Sequence, residues 1–347
     1  MRYLLPFLRW ANLLLILITL LAYLSPLINP SKVWHFTYLG LAYPIMLLAN
    51  MAFALFWAMR RDRYMLFSAA CIIAGSGYLT SFMGFHFGKN PEKKAGSFTV
   101  VTYNVGSLKS LRNDEKDRQE AIKAELEKFV KRYGQPEIFC VQEGNPDLVT
   151  NFLRKNLGYK HHFKHKGTVI FSIYPFLKQD IVPFEASGNS CIWADLDTPK
   201  GTVRVYSAHL QSNSLSHTAN RIATQGDPRK KQTWRDVRFV MKQYKRAVSI
   251  RAEQAAAVKA HIAKSPHPVI LCGDLNDPPV SYVYRLMSKG MKDSFREKGS
   301  GIGATFAGKL PALRIDYVLT DPSFNILDHR IPKLELSDHY PVVVHLE

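Results

Sequence analysis

The chain has 347 residues, with 46 lysines and arginines against 28 aspartates and glutamates, a formal charge of +18. That length excludes one small domain and allows one large domain with an appendage. The charge points to an anionic partner, whether membrane headgroups, nucleic acid or a phosphorylated small molecule. Four cysteines (Cys71, Cys140, Cys191, Cys272) without a CxxC pair exclude a disulfide framework and a zinc knuckle, and read as small buried hydrophobes.

Three apolar stretches come first: "ANLLLILITLLAYLSPLI" at 11–28, "VWHFTYLGLAYPIMLLANMAFALFWAM" at 33–59 and "YMLFSAACIIAGSGYLTSFMGF" at 64–85. Each reaches roughly the 20 residues that cross a bilayer core as a helix. Trp10, Tyr23, Trp34, Trp57 and Tyr64 stand near their ends, where aromatic belts form. No small-x-small cleavage site follows the first stretch, so residues 1–87 read as a three-helix transmembrane region and not as a signal peptide. Arg2 and Arg9 precede the first span, Arg60, Arg61 and Arg63 lie between the second and third, and only Lys32 lies between the first and second. The positive-inside rule then places the N-terminus in the cytoplasm and everything after the third span on the extracytoplasmic side. Residues 88–97, "GKNPEKKAGS", read as a polar linker.

From residue 98 the pattern alternates. "SFTVVTYNV" is a strand. Ala121, Ile122, Leu126, Phe129 and Val130 then recur at helical spacing, with Gly134 as the stop. "EIFCVQE", "TVIFSIYPF", "SCIWADLD" and "TVRVYSAHL" are strands, a basic helix covers about 232–264, and "PVILCGDLN", "LRIDYVL" and "YPVVVHLE" are strands again. His161, His162 and His165 read as a surface loop. Several strands follow one another without a helix, which favours two packed sheets flanked by helices over one parallel sheet.

The polar residues gather at strand ends. Asn104, Glu143, His209 and Asp274 close four strands, Asn276 follows at once, Asp316 sits in "LRID", and Asp338 and His339 precede the last strand. A lone acid after a strand is a turn former or a cap. Six such ends, almost free of lysine and arginine, make a site. Glu143, Asp274 and Asp338 are hard oxygen donors suited to Mg²⁺ or Mn²⁺. With no GxSxG, GxxxxGK[ST] or HExxH present, metal-assisted hydrolysis by water is the leading class. Period-two geometry lets Asn276 point where Asp274 points, and Pro278 and Pro279 end the strand.

The motifs "TYNV", "CVQE", "SAHL", "GDLNDPP", "RIDYVL" and "SDHYPV", in this order over 98–347, resemble the endonuclease/exonuclease/phosphatase superfamily, which includes nucleases, sphingomyelinases and inositol phosphatases. The resemblance implies a four-layered α/β sandwich, two packed mixed β-sheets flanked by helices, and Mg²⁺-dependent phosphoester hydrolysis. Position by position, it implies Glu143 as principal metal ligand with Asn104 beside it and Asp338 as a second metal-side carboxylate. Asp274 orients or deprotonates the attacking water, and Asn276 stabilises the transition state. His339 contacts the phosphate or acts as base, oriented by Asp316, and His209 serves a phosphate oxygen or the leaving group. The pattern departs at Gly106, where abasic-site endonucleases carry a further metal-side acid. The expected function is a membrane-tethered phosphoesterase acting on a lipid headgroup, with a nuclease and a non-catalytic binding protein as alternatives. The basic run 228–246 suits anionic lipid or nucleic acid, Arg251 reads as structural support, and Asn189 as a turn residue.

Overall fold

The computed structural model describes residues 4–86, 96–106, 115–144, 151, 153–185, 187–213, 222, 227, 229–307, 313–334 and 336–347. Four helices open the chain: α1 (Leu4–Ala22), α2 (His35–Met59), α3 (Tyr64–Ala74) and α4 (Ser76–Phe82). Two segments, Leu4–Leu27 and His35–Met59, are long and apolar enough to cross a membrane, and α3 with α4 makes a third only across a 66° bend. The first helix begins and ends earlier than 11–28, with Pro26 in a short 3-10 turn, Ser25–Leu27. The third, expected unbroken over 64–85, breaks at Gly75. There the Tyr23 hydroxyl donates to the Cys71 carbonyl at 2.9 Å and lies 2.1 Å from where a Gly75 Cβ would be. A side chain inserted beside a glycine is a recognised cause of a kink. Most of the expected linker lies outside the described residues.

Next come β1 (Met83–Phe85), β2 (Phe98–Asn104), α5 (Glu115–Tyr133), β3 (Ile138–Gln142), β4 (His161–His165), β5 (Thr168–Ser172), β6 (Phe176–Val182), β7 (Ser190–Thr198) and β8 (Gly201–His209). The long α6 (Lys231–Ile262) precedes β9 (Val269–Asp274), α7 (Tyr282–Ser288), β10 (Lys292–Asp293), α8 (Ser294–Lys298), β11 (Ser300–Ile302), β12 (Asp316–Thr320), β13 (Ile326–Arg330) and β14 (Val342–Leu346). They build two six-stranded mixed sheets, β13-β14-β2-β3-β5-β4 and β10-β12-β9-β8-β7-β6. Alternation along each strand sorts the side chains. Val100, Ile138, Cys140 and Ile170 meet Ile192, Val205, Ile270 and Cys272 between the sheets. Val101, Tyr103 and Phe139 face outward onto Ile122, Leu126 and Phe129 of α5. Tyr206, Ala208 and Leu271 do the same onto Ala255 and Val258 of α6. The result is the expected four-layered sandwich, helix on sheet on sheet on helix. All four cysteines are free and buried. The histidine tract forms β4, an edge strand paired with β5, and not a loop. Polar residues on an edge strand hide it from a pattern search while discouraging intermolecular pairing.

Strand direction positions the site. Within each sheet one pair is parallel, β2 with β3 and β8 with β9, so two C-terminal ends arrive at one edge. His209 stands level with Asp274. β12 runs antiparallel to β9, so its first residue, Asp316, is also level with Asp274.

The sandwich is fastened to the apolar helices at several points. β1 pairs with β11, and the Gly303 N–H donates to the Phe82 carbonyl at 3.1 Å. Buried Arg314 donates to the Ser81 carbonyl at 3.0 Å and forks onto Asp293 at 3.0 and 2.8 Å. Tyr38 stacks against Tyr244 of α6, ring centroids 4.8 Å apart. Val280 is buried with Tyr43, Leu47 and Phe82, and a Cβ on Gly40 of α2 would lie 2.1 Å from the Val280 carbonyl oxygen. Gly40→Val therefore forces backbone apart. It is expected to destabilise the detergent-solubilised protein by about 1–3 kcal/mol, the usual range for overpacking, read as a lowered Tm. An unchanged Tm would mean this contact is not tight.

Candidate active site

Every candidate residue falls at the edge where the two parallel pairs end. Asp274 is its centre, 1% exposed. Asn104 donates from Nδ2 to Asp274 Oδ2 at 2.9 Å and to Glu143 Oε1 at 3.3 Å, while its Oδ1 accepts the Gly106 N–H at 2.9 Å. His209 Nε2 lies 3.5 Å from Glu143 Oε1 and 4.0 Å from Asp274 Oδ2. On the other flank His339 Nδ1 meets Asp316 Oδ2 at 2.9 Å, with His339 Nε2 3.9 Å from Asp274 Oδ2. Thr305 Oγ1 accepts the backbone N–H groups of Ile315 and Asp316 at 3.0 and 3.1 Å and so fixes the start of β12.

The turn after β9 depends on its glycine. Gly273 has φ +140, and a Cβ there would lie 1.9 Å from the Ala208 carbonyl oxygen of β8. The chain then leaves extended geometry: Asn276 has φ +54. The period-two expectation for Asn276 fails for that reason. Its backbone N–H caps Asp274 Oδ1 at 2.7 Å, and its side-chain amide donates to the Leu210 carbonyl at 3.0 Å. Asn189, read as a turn residue, donates to the same carbonyl at 3.1 Å. Arg251, fully buried on α6, donates to the Asn276 carbonyl, to Asn213 Oδ1 at 2.9 Å, and lies 3.4 Å from Asp277. It supports the turn, as its place in the sequence suggested.

Asp338 is the outlying member of the set: exposed, with Oδ1 accepting from the Ser337 hydroxyl at 3.3 Å. It explains Gly106. That residue has φ +52, and a Cβ on it would lie 2.8 Å from Asp338 Oδ1. A side chain at 106 and the observed placement of Asp338 exclude each other.

The electrostatics separate the two histidines. Burial pushes the Asp274 carboxyl up to about 7, helped by the Asp316 charge and opposed by His339 and the Asn104 hydrogen bond. Burial lowers His339, but the Asp316 charge and hydrogen bond outweigh it and hold the ring up at about 10. His209 is lowered, by burial first, against the pull of Glu143. One imidazole is thus a cation at neutral pH and the other is neutral.

The donor set fits a hard divalent cation. Carboxylate oxygens of Asp274 and Asp316 lie within 4.8 Å of each other beside His339, whose cationic ring offers no lone pair, and Glu143 adjoins Asp274 through Asn104. Two buried polar atoms at this edge, Asp316 Oδ1 and His209 Nε2, lack a hydrogen-bond partner among the described residues. Crowded carboxylates, with Asp274 pushed up by burial and Asp316 Oδ1 unpartnered, are the environment that a cation relieves.

The sequence offered no signal for Thr305 or for the buried chain Thr102 to Gln142 to Ser207, which ties the two sheets beneath the site at 3.2 and 3.0 Å. Both are ordinary residues until the strands are placed.

A family model described as endonuclease/exonuclease/phosphatase matches residues 101–339, and a second, a domain of unknown function, matches 5–82. No curated protein matches the chain. Among solved structures, D. rerio TDP2 humanized by 14 mutations is similar at 16% identity, TM-score 0.52, over 73% of this chain and 100% of that one. D. rerio TDP2 complexed with a single-strand DNA product matches at 16%, TM-score 0.51, over 72% and 99%. An endonuclease/exonuclease/phosphatase from Beutenbergia cavernae matches at 21%, TM-score 0.48, over 72% and 71%. These likenesses concern the fold, while the family model covers most of the chain. The chain belongs to the endonuclease/exonuclease/phosphatase family, and is a divalent-metal-dependent hydrolase of phosphoester bonds.

Proposed function

We propose that the protein is a membrane-tethered phosphodiesterase that hydrolyses a lipid-headgroup phosphodiester with Mg²⁺ or Mn²⁺. It has a helical membrane region, 1–87, and a catalytic domain, 98–347, on the extracytoplasmic side. One observation carries the lipid reading. The turn that follows Asp274 and Asn276 ends in Val280, which is buried against Tyr43, Leu47 and Phe82 of the apolar helices. The catalytic edge is therefore held next to the bilayer those helices would occupy, which raises the local concentration of a substrate in the same membrane.

Sidedness has its own support. The Ser31 hydroxyl, between α1 and α2, donates to the Ser249 carbonyl of α6 at 3.4 Å, whereas Arg9 pairs with Asp62 at 2.8 Å at the opposite end of the helices. The arginine cluster Arg9, Arg60, Arg61 and Arg63 is thus remote from the sandwich, and positive ends face the cytoplasm.

In this reading Glu143, with Asn104 beside it, and Asp338 would hold the divalent ion, which when bound would polarise a phosphoryl oxygen and acidify water. Asp274, ionised above about 7, takes the proton of the attacking water. Water oxygen bonds to phosphorus, one P–O ester bond breaks, the departing alkoxide takes a proton from solvent and leaves as the alcohol, and Asp274 returns its proton to solvent. His339, kept cationic by Asp316, faces the phosphate charge. His209, neutral, donates one hydrogen bond to a phosphate oxygen or the leaving oxygen. Asn276 lends its backbone N–H to Asp274, so the base is held in one orientation.

The test is headgroup release from phospholipid and sphingolipid vesicles by full-length protein, run beside nicking of plasmid DNA. Chelator-sensitive turnover of lipid and silence on DNA is the expected result. DNA nicking with lipid untouched would replace this reading with a nuclease.

A further inference from the structure

A cavity of about 240 Å³ opens between α6 and the loops beside the site, lined by Ser187, Gly188, Gln211, Ser212 and Asn213 on one side and by Phe239, Gln243, Arg246, Ala247 and Ile250 of α6 on the other. It shares its walls with the catalytic edge. Gln211 lies two residues beyond His209, and its N–H donates to Gln254 of α6 at 2.8 Å. Asn213 is held at 2.9 Å by Arg251, whose guanidinium also carries the Asn276 carbonyl. The adjacent face of α6 is packed against the bilayer-entry end of α2: Tyr244 and Val248 bury Trp34, Tyr38 and Leu41, and the Tyr38 hydroxyl donates to the Met241 carbonyl at 3.4 Å. Phe239, at the rim, is 51% exposed. The cavity thus lies on α6 beside the residues that dock on α2, with Gln211 and Asn213 of the stretch after His209 as its other wall.

Its chemistry is one-sided. Among the described residues the lining offers amide, hydroxyl and guanidinium groups and no carboxylate. A site without an anion gives no counter-charge to a quaternary ammonium, whereas its donors satisfy hydroxyl and phosphate oxygens. The volume is below the roughly 300–1,000 Å³ of pockets that enclose drug-sized ligands, so it fits a headgroup and leaves acyl chains outside.

We infer that this cavity holds the part of the substrate beyond the scissile phosphate, and that this part is a hydroxyl-rich or anionic headgroup on a lipid of the same bilayer. The guanidinium of Arg246 in the lining favours an anionic headgroup over a cationic one. The inference rests on the lipid reading above and narrows it. Arg246 is the specificity residue; its guanidinium bonds the headgroup oxygens while Gln243 and Gln211 complete the set.

The test uses full-length protein reconstituted in vesicles of phosphatidylglycerol or of phosphatidylcholine, with bis(p-nitrophenyl) phosphate as a soluble ester that needs no headgroup site. Phosphatidylglycerol is expected to be the better lipid. Arg246→Glu is expected to lower the ratio of phosphatidylglycerol to soluble-ester kcat/KM by about tenfold to a hundredfold, the span of one charged hydrogen bond, through KM. Arg246→Lys recovers part of it. Arg238→Glu, an exposed position on the same helix outside the cavity, controls for general surface charge. Equal use of the two lipids, an unchanged ratio in Arg246→Glu, or an equal fall in Arg238→Glu overturns the inference and leaves the phosphodiesterase standing. A wild-type protein that hydrolyses the soluble ester but neither lipid overturns the lipid reading and the inference with it.

Discussion

Asp274→Asn is expected to lower kcat for phosphoester hydrolysis by about 10²–10⁴-fold, the usual contribution of a positioned general base. The residue stands level with His209 and Asp316 across two strand pairs, and two donors, Asn104 Nδ2 and the Asn276 N–H, hold its two oxygens. Asparagine keeps one acceptor and the shape but cannot take a proton from water. The loss should appear in kcat, with circular dichroism unchanged. Stability gives a second check in metal-free protein. The folded-state pKa, about 7, lies above the ordinary 3.8, so between these values the folded state holds a proton that the unfolded state has released. Stability from this group is complete below about 4 and is lost as pH rises through 7. Denaturant midpoints of wild type should therefore decline across that window more than those of Asp274→Asn. Activity within tenfold of wild type would remove Asp274 from the role of base.

Asp316→Asn is expected to cost about 10²-fold or more in kcat/KM and to change the shape of the pH profile. Asp316 is buried, touches His339 Nδ1 at 2.9 Å, and supplies the charge that outweighs burial and keeps the ring protonated up to about 10. Without that charge burial prevails and His339 gives up its proton at lower pH. If the cationic form faces the phosphate, the alkaline limb of kcat/KM moves to lower pH in the variant. An alkaline limb that stays in place, with activity merely scaled down, would mean that Asp316 acts on packing alone. The same pair sets a stability trend: the His339 contribution is present below its ordinary 6.5 and is lost as pH rises through about 10.

Arg246 on α6 lines the cavity while Arg251, five residues on, grips the turn that carries Asn276. Tyr244 and Val248, on either side of Arg246, dock on α2. Neighbouring stripes of one helix thus meet an apolar helix, a cavity and the turn after β9.

The sequence by itself determined the strand cores, the long basic helix, the apolar front and the chemical set Asn104, Glu143, His209, Asp274, Asn276, Asp316, Asp338 and His339. These were legible because alternation, helical spacing and strand-end polarity are local signals that neighbouring residues carry together. Strands β4, β6 and β13 were not legible, since edge strands with exposed faces lack an apolar period. The break at Gly75 depends on Tyr23, fifty-two positions away, and the turn at Asn276 on a carbonyl of Leu210. Tertiary structure alone decided that Asp316 charges His339, that burial keeps His209 neutral, and that Gly106 makes room for Asp338. Each of these follows from distances between residues far apart in the chain, and a pKa or a close approach is set by such distances and by burial, which no stretch of sequence contains.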